Sequence, residues 1–224
     1  MHVTARFAAS PPPLSADLTH DAWRTAPAHT LHRLWNGTPA PAALTTTARL
    51  MWTASHLWIG FACGYAELDI DAPDAIDCST ERVALWDRDV CEAFVRSRGE
   101  PRPDSYKEFE VAPTGQWCDL AIHTPRVDVD WHWNSGMETA AAIEETARVF
   151  RAVMRLPFAA FGGAPVEGEV WAVNLFRIGR VDGARQYLSY AATGTRTPDF
   201  HVPACFVPLV FEGAVVSGSV THEA

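Results

Sequence analysis

Lysine is nearly missing from this 224-residue chain: Lys107 stands alone among 18 basic residues, so positive charge is almost entirely arginine. We read that as a compositional bias of the source and not as a functional signal. No basic stripe is present, and a formal charge of −9 spread along the sequence would repel phosphate backbones and anionic lipid headgroups, which argues against nucleic acid and membrane as partners. No apolar run approaches the roughly 20 residues that cross a bilayer. The opening Met1-His2-Val3-Thr4-Ala5-Arg6 lacks the charged and then apolar halves of a secretory signal. The chain as it stands therefore reads as cytoplasmic, and as secreted if an export segment precedes it. Five cysteines (Cys63, Cys78, Cys91, Cys118, Cys205) cannot all pair, and no two have the two-residue spacing of zinc sites. Serine nucleophile elbows, phosphate loops, paired histidines at helical spacing and dinucleotide fingerprints are also missing.

Helical periodicity is weak throughout, with short turns expected only at Asp17 to Trp23 and at Phe158 to Phe161 after Pro157. What recurs instead is strand, turn, strand. Thr45 to Trp52 and His56 to Cys63 form a hairpin pattern around Thr53-Ala54-Ser55, and similar β-branched and aromatic runs occupy Val90 to Arg96, Tyr106 to Val111, Trp117 to Ile122, Ala147 to Leu156, Val170 to Ile178, Gln186 to Ala191 and Cys205 to Phe211. Without long crossover helices, the pattern predicts an all-β, antiparallel β-sandwich of immunoglobulin-like or jelly-roll type with about ten strands. One domain, 1–224, accommodates the length, with 1–13 (ending in Pro11-Pro12-Pro13) as an extended lead-in and 213–224 as a flexible tail. Ala66 to Leu85, carrying Asp69, Asp71, Asp74 and Asp77, reads as a long loop across one end.

The residues suited to chemistry cluster in three strands. In Leu85 to Val95, Trp86 and two aspartates lead into an apolar strand whose alternation puts Val90, Glu92 and Phe94 on one face, so Glu92 needs an arginine partner or a wet concavity. Tyr106, Glu108 and Glu110 share a face of the next strand, opposite Phe109 and Val111. In Trp171 to Ile178, Asn174 and Arg177 are polar groups in a core-like strand; alternation sets them on opposite faces, and one of them is expected to join the carboxylates. A pyranose offers hydroxyls around its edge and C–H bonds on its face, and these side chains could satisfy the first while Trp86 covers the second.

Over nearly its whole length the chain resembles the family 9 carbohydrate-binding modules and their DOMON-like superfamily relatives. The resemblance rests on Leu18 to Trp23, on Thr47 to Phe61, on Trp86 to Phe94 with Tyr106 to Gly115, and on Asp199 to Phe206, the third segment being the most specific. It implies non-catalytic binding of the end of a mono- or oligosaccharide of the gluco or xylo class, held between two tryptophans, with calcium in structural positions. Trp86 matches one clamping tryptophan and Glu92 the carboxylate after it. Glu110 stands where the sugar-binding modules carry arginine, and the second tryptophan's segment reads Asp199-Phe200-His201, so Phe200 or His201 becomes the second side of the clamp. Calcium is a candidate through Asp69, Asp71, Asp74 and Asp77, against the reading of solvated loop acids.

Three rival functions use the same residues. A glycoside hydrolase, or an accessory subunit in carbohydrate catabolism, could draw its carboxylates from Asp87, Asp89, Glu92, Glu108 and Glu110. A haem-binding sandwich could draw axial ligands from His56, His123, His132 or His201 and Met51, Met137 or Met154. A scaffold domain could use Trp117 and Trp131-His132-Trp133 as interface anchors, although the same aromatics could equally be core or a second sugar platform.

Overall fold

A computed structural model describes residues 1–213. Fourteen strands run in chain order as β1 (Val3–Phe7), β2 (Ala28–Leu31), β3 (Arg33–Leu34), β4 (Thr46–Trp52), β5 (His56–Gly64), β6 (Val90–Arg96), β7 (Tyr106–Val111), β8 (Trp117–Thr124), β9 (Asp128–Asp130), β10 (Glu138–Glu144), β11 (Val149–Pro157), β12 (Val170–Val181), β13 (Ala184–Ser189) and β14 (Val207–Glu212). Among the described residues one α-helix, α1 (Asp21–Thr25), follows the lead-in, and one of the 3₁₀ turns covers Phe158–Phe161. The all-β expectation holds, with more strands than ten. The added ones are short or polar: β9 is Asp-Val-Asp, and β10 reads Glu-Thr-Ala-Ala-Ala-Ile-Glu, too poor in β-formers to signal a strand until β11 pairs with it across seven residues.

Hydrogen bonding links β10-β11-β5-β4-β1-β14-β12-β6-β7-β8-β9 into a continuous path. Its two halves fold against each other. Phe61, Phe150 and Leu50 from one half meet Ala93, Val95, Phe109 and Leu175 from the other in the main core, which makes the architecture a sandwich. The pairing is not purely antiparallel. Residues 1–13 do more than lead in, because β1 runs parallel to both β4 and β14 and joins the two halves, with Val3 and Ala5 fully buried. The tail expected at 213–224 lies, apart from Gly213, outside the described residues.

Each half also has an outer face. Outside β4 and β5, α1 seals Met51, Trp58 and Val153 beneath Trp23, so this tryptophan is a core plug. Outside β6, β7, β8 and β12 lies a second apolar cluster of Val90, Phe94, Tyr106, Leu120, Ile122, Phe176 and Ile178, capped by Phe200. The site sits on that face.

The end of β5 lies tight against the turn that leads into β4. Gly64 donates to the Thr45 carbonyl at 2.9 Å, and a β-carbon added there would lie 2.9 Å from the Ala43 carbonyl oxygen, which is backbone and cannot rotate aside. Gly64→Ala is expected to cost about 1–3 kcal/mol, read as a lower midpoint in chemical denaturation with an unchanged m value.

Candidate functional site

Alternation within β6 and β7 builds the site floor. Cys91, Ala93 and Val95 go to the main core, which forces Val90, Glu92 and Phe94 outward; Phe109 and Val111 likewise point inward, leaving Tyr106, Glu108 and Glu110 on the outer face. Register completes the cluster, since Glu92 lies directly opposite Glu110. Like charges at such a position destabilise a sheet. Glu92, Glu108 and Glu110 are 2%, 3% and 0% exposed, and one carboxylate oxygen from each lies within 4.8 Å of the others. Burial pushes Glu92 and Glu110 far above the ordinary carboxylate range, helped by repulsion from Glu108 on Glu92 and from Glu92 and Glu108 on Glu110, and raises Glu108 to about 7.

Above the three carboxyls opens a cavity of about 280 Å³, walled by Leu120, Ile122, Ile178 and Phe200 and rimmed by Trp86, Trp131, Tyr187, Arg126 and Asp199. Trp86 belongs to a 3₁₀ turn, Leu85–Asp87, started by Ala84 in the left-handed region at φ 67°. Trp131 follows β9, remains 47% exposed and meets Trp86 at a ring separation of 6.1 Å, tilted by 52°. Arg126 pairs with Asp199 at the mouth. His201 shares a 2.6 Å hydrogen bond with the Tyr106 hydroxyl and lies 3.8 Å from Glu108; burial, and then Arg126, lower its pKa to about 4, so it is neutral at neutral pH.

Six of the eight site residues expected from sequence therefore line one hollow: Trp86, Glu92, Glu108, Glu110, Phe200 and His201. Asn174 and Arg177 do not. Asn174 is on the outer side of β12, but its amide is consumed by the Ala191 backbone, donating to the carbonyl at 2.8 Å and accepting from the amide at 3.0 Å. Arg177 points into the main core, fully buried. There it donates to the Gly64 carbonyl at 2.6 Å and to Thr46 Oγ1 at 3.0 Å, faces Asp89 at 3.6 Å and lies over the Phe150 ring. The expectation that one of the two joins the carboxylates is corrected: a polar group in a core-like strand here satisfies backbone.

Phe200 lines the wall but stacks on Phe176 at 4.2 Å and is 7% exposed, so it offers little free face. The exposed ring opposite Trp86 is that of Trp131, which sequence reasoning placed with interface anchors; the Trp131-His132-Trp133 triplet was the available signal. Trp133 instead packs on Phe109 beneath Lys107, and the Trp117 indole donates to the Cys78 carbonyl at 3.1 Å. Asp199 lay in the segment Asp199-Phe200-His201 already singled out but was given no role of its own, while Arg126 and Tyr187 had no distinguishing pattern in the sequence.

The loop acids have other employment. Asp69 pairs with Arg88 and Arg180, and Asp71 with Arg82 and Arg88, while Asp77 accepts from Ser79. Arginine thus occupies the oxygens a calcium ion would need from Asp69 and Asp71. No methionine lines the cavity that holds His201; Met51, Met137 and Met154 are buried in the apolar clusters.

No family model matches the sequence. A 141-residue segment is 27% identical to a protein of Arthroderma benhamiae named as an extracellular protein; it spans 57% of this chain and 62% of that one, less than two thirds of its length. Among solved structures, a candidate carbohydrate-binding protein of Bacteroides uniformis superposes with a TM-score of 0.73 at 19% identity, covering 94% of this chain and 99% of the other. A family 9 carbohydrate-binding module of Caldicellulosiruptor kristjanssonii superposes in its cellotriose complex with a TM-score of 0.69 at 12% identity, both chains fully covered. In its glucose complex the corresponding values are 0.66 and 12%, over 96% of this chain and 99% of that one. At these identities the likeness is one of fold: this chain has the fold of a carbohydrate-binding module.

Proposed function

We propose that the chain binds a saccharide without cleaving it, taking the end of a short gluco- or xylo-oligosaccharide into the cavity over β6, β7 and β8. The observation that carries this reading is the vertical order of the site. Two indoles, Trp86 and Trp131, stand at a rim open to water, apolar walls follow, and buried carboxyls close the floor. A sugar needs that order, with C–H faces against aromatic rings and hydroxyls against groups that accept and donate in pairs. His201, Asp199 and Arg126 add a neutral imidazole and an ion pair at the level where ring hydroxyls would pass.

A volume of about 280 Å³ lies at the small end of ligand sites, which suits one sugar ring held at the floor with further units emerging past the indoles. The fold shared with modules solved with cellotriose and with glucose supports the same class. Titration of the purified protein with glucose, cello-oligosaccharides and xylo-oligosaccharides is expected to give saturable one-to-one heat for at least one series. Prolonged incubation should release no reducing sugar. Absence of heat across a broad glycan screen would sink the reading, and steady release of reducing ends would replace it with hydrolysis.

A further inference from the structure

Four of the six carboxylate oxygens at the cavity floor (Glu92 Oε1, Glu108 Oε2 and both of Glu110) are screened from solvent and have no hydrogen-bond partner. Two other buried acids, Asp89 and Asp119, each leave one oxygen unpartnered but are bonded through the other. Asp89 accepts from the Asp69 amide and faces Arg177, and Asp119 accepts from Ser135. The trio is different: the nearest arginine at the cavity, Arg126, is committed to Asp199 at the mouth. Three buried carboxyls facing one another must either keep protons or have something positive among them.

We infer that Glu92, Glu108 and Glu110 hold a divalent cation of the calcium, magnesium or manganese class at the floor of the cavity, leaving coordination positions open toward the sugar hydroxyls. Geometry supports the first half. One oxygen from each residue falls within 4.8 Å of the others, and donors about 2.1–2.5 Å from a common ion on one of its faces lie about 3.0–3.5 Å apart, inside that limit. Donor chemistry selects the class: all three ligands are hard oxygen, with no thiolate or imidazole among them, which disfavours zinc and copper. Rigidity helps too, because the carboxylates stand on paired central strands whose register fixes Glu92 opposite Glu110. Three protein ligands fill only part of a six-to-eight-oxygen shell, and the vacant side faces the cavity. A vicinal diol could complete it. The cation site stands on the glutamates alone; its use in holding hydroxyls rests on the saccharide reading.

The test starts with chelator-treated, dialysed protein at neutral pH and no sugar. Calorimetry with calcium, magnesium and manganese chloride is expected to show one saturable site for at least one ion, with a rise in melting temperature of about 5–10 °C at saturation. Glu110→Gln keeps the shape and removes one charge, so it should fold at least as well and bind the ion at least about ten-fold more weakly. Trp86→Ala should leave ion affinity unchanged. Failure of every ion at millimolar concentration to give heat or a thermal shift overturns the site, as does undiminished binding in Glu110→Gln. Stabilisation by glucosamine alone, with no response to metal, would also overturn it and assign the floor to an ammonium group. Ion binding with no response to any saccharide would instead sink the saccharide reading and leave the cation site standing.

Discussion

Arg177→Ala is expected to destabilise the fold by about 3–5 kcal/mol, a fall of roughly 6–20 °C in melting temperature for a chain of this size. The guanidinium is wholly buried where β12, β5 and the turn before β4 converge. Its loss would strip a donor from the Gly64 carbonyl and from Thr46, and leave Asp89 without its cation. An uncompensated carboxylate in that setting is the larger penalty. For that reason the double variant Arg177→Met/Asp89→Leu should recover a substantial part of the loss. Saccharide affinity measured well below the transition should be unchanged in the single variant, since Phe176 and Ile178 on either side of it face the other way. A stable Arg177→Ala protein with weakened sugar binding would reverse both statements and return Arg177 to the site.

Trp86→Ala should do the opposite. A sugar ring covering about 80 Å² of indole gains about 2 kcal/mol at ~25 cal/mol per Å², which is about thirty-fold in affinity. Trp86 is only half-buried at the rim, so the change in stability should stay within about 1 kcal/mol. Trp131→Ala is expected to behave alike, because the two rings meet across the same mouth. Calorimetric titration of both variants with the best saccharide checks this. Equal affinity in wild type and Trp86→Ala would show that no sugar stacks there.

The floor of the site was legible because strand alternation is a strict rule: with Cys91, Ala93 and Val95 suited to a core, Glu92 had to face outward, and Glu108 and Glu110 followed by the same logic in β7. The pairing of Glu92 with Glu110 was not legible, because register depends on the Ser97 to Ser105 connection, whose geometry local pattern does not specify. Asn174 and Arg177 show the limit of reading polarity as function. Both lie in β12, where alternation separated them correctly, yet each binds backbone whose position is known only after folding. Trp131 was left open between interface anchor, core and second sugar platform because β9, only Asp128–Asp130, carries no strand signal, so nothing in the sequence tied that segment to the face bearing Trp86. The parallel strand β1 was missed for a related reason: a five-residue run ahead of three prolines reads equally well as a linker.

That first strand has a consequence for how the molecule forms. Val3–Phe7 is synthesised before the other strands described here, but one of its edges stays bare until Val207–Glu212 arrives to pair with it. The two halves of the sandwich are joined through this seam, so assembly of the barrier-determining contacts spans nearly the whole polypeptide, a topology that folds slowly and late. During synthesis the bare edge is a template for stray strands, and the chain depends on its far end to cover it.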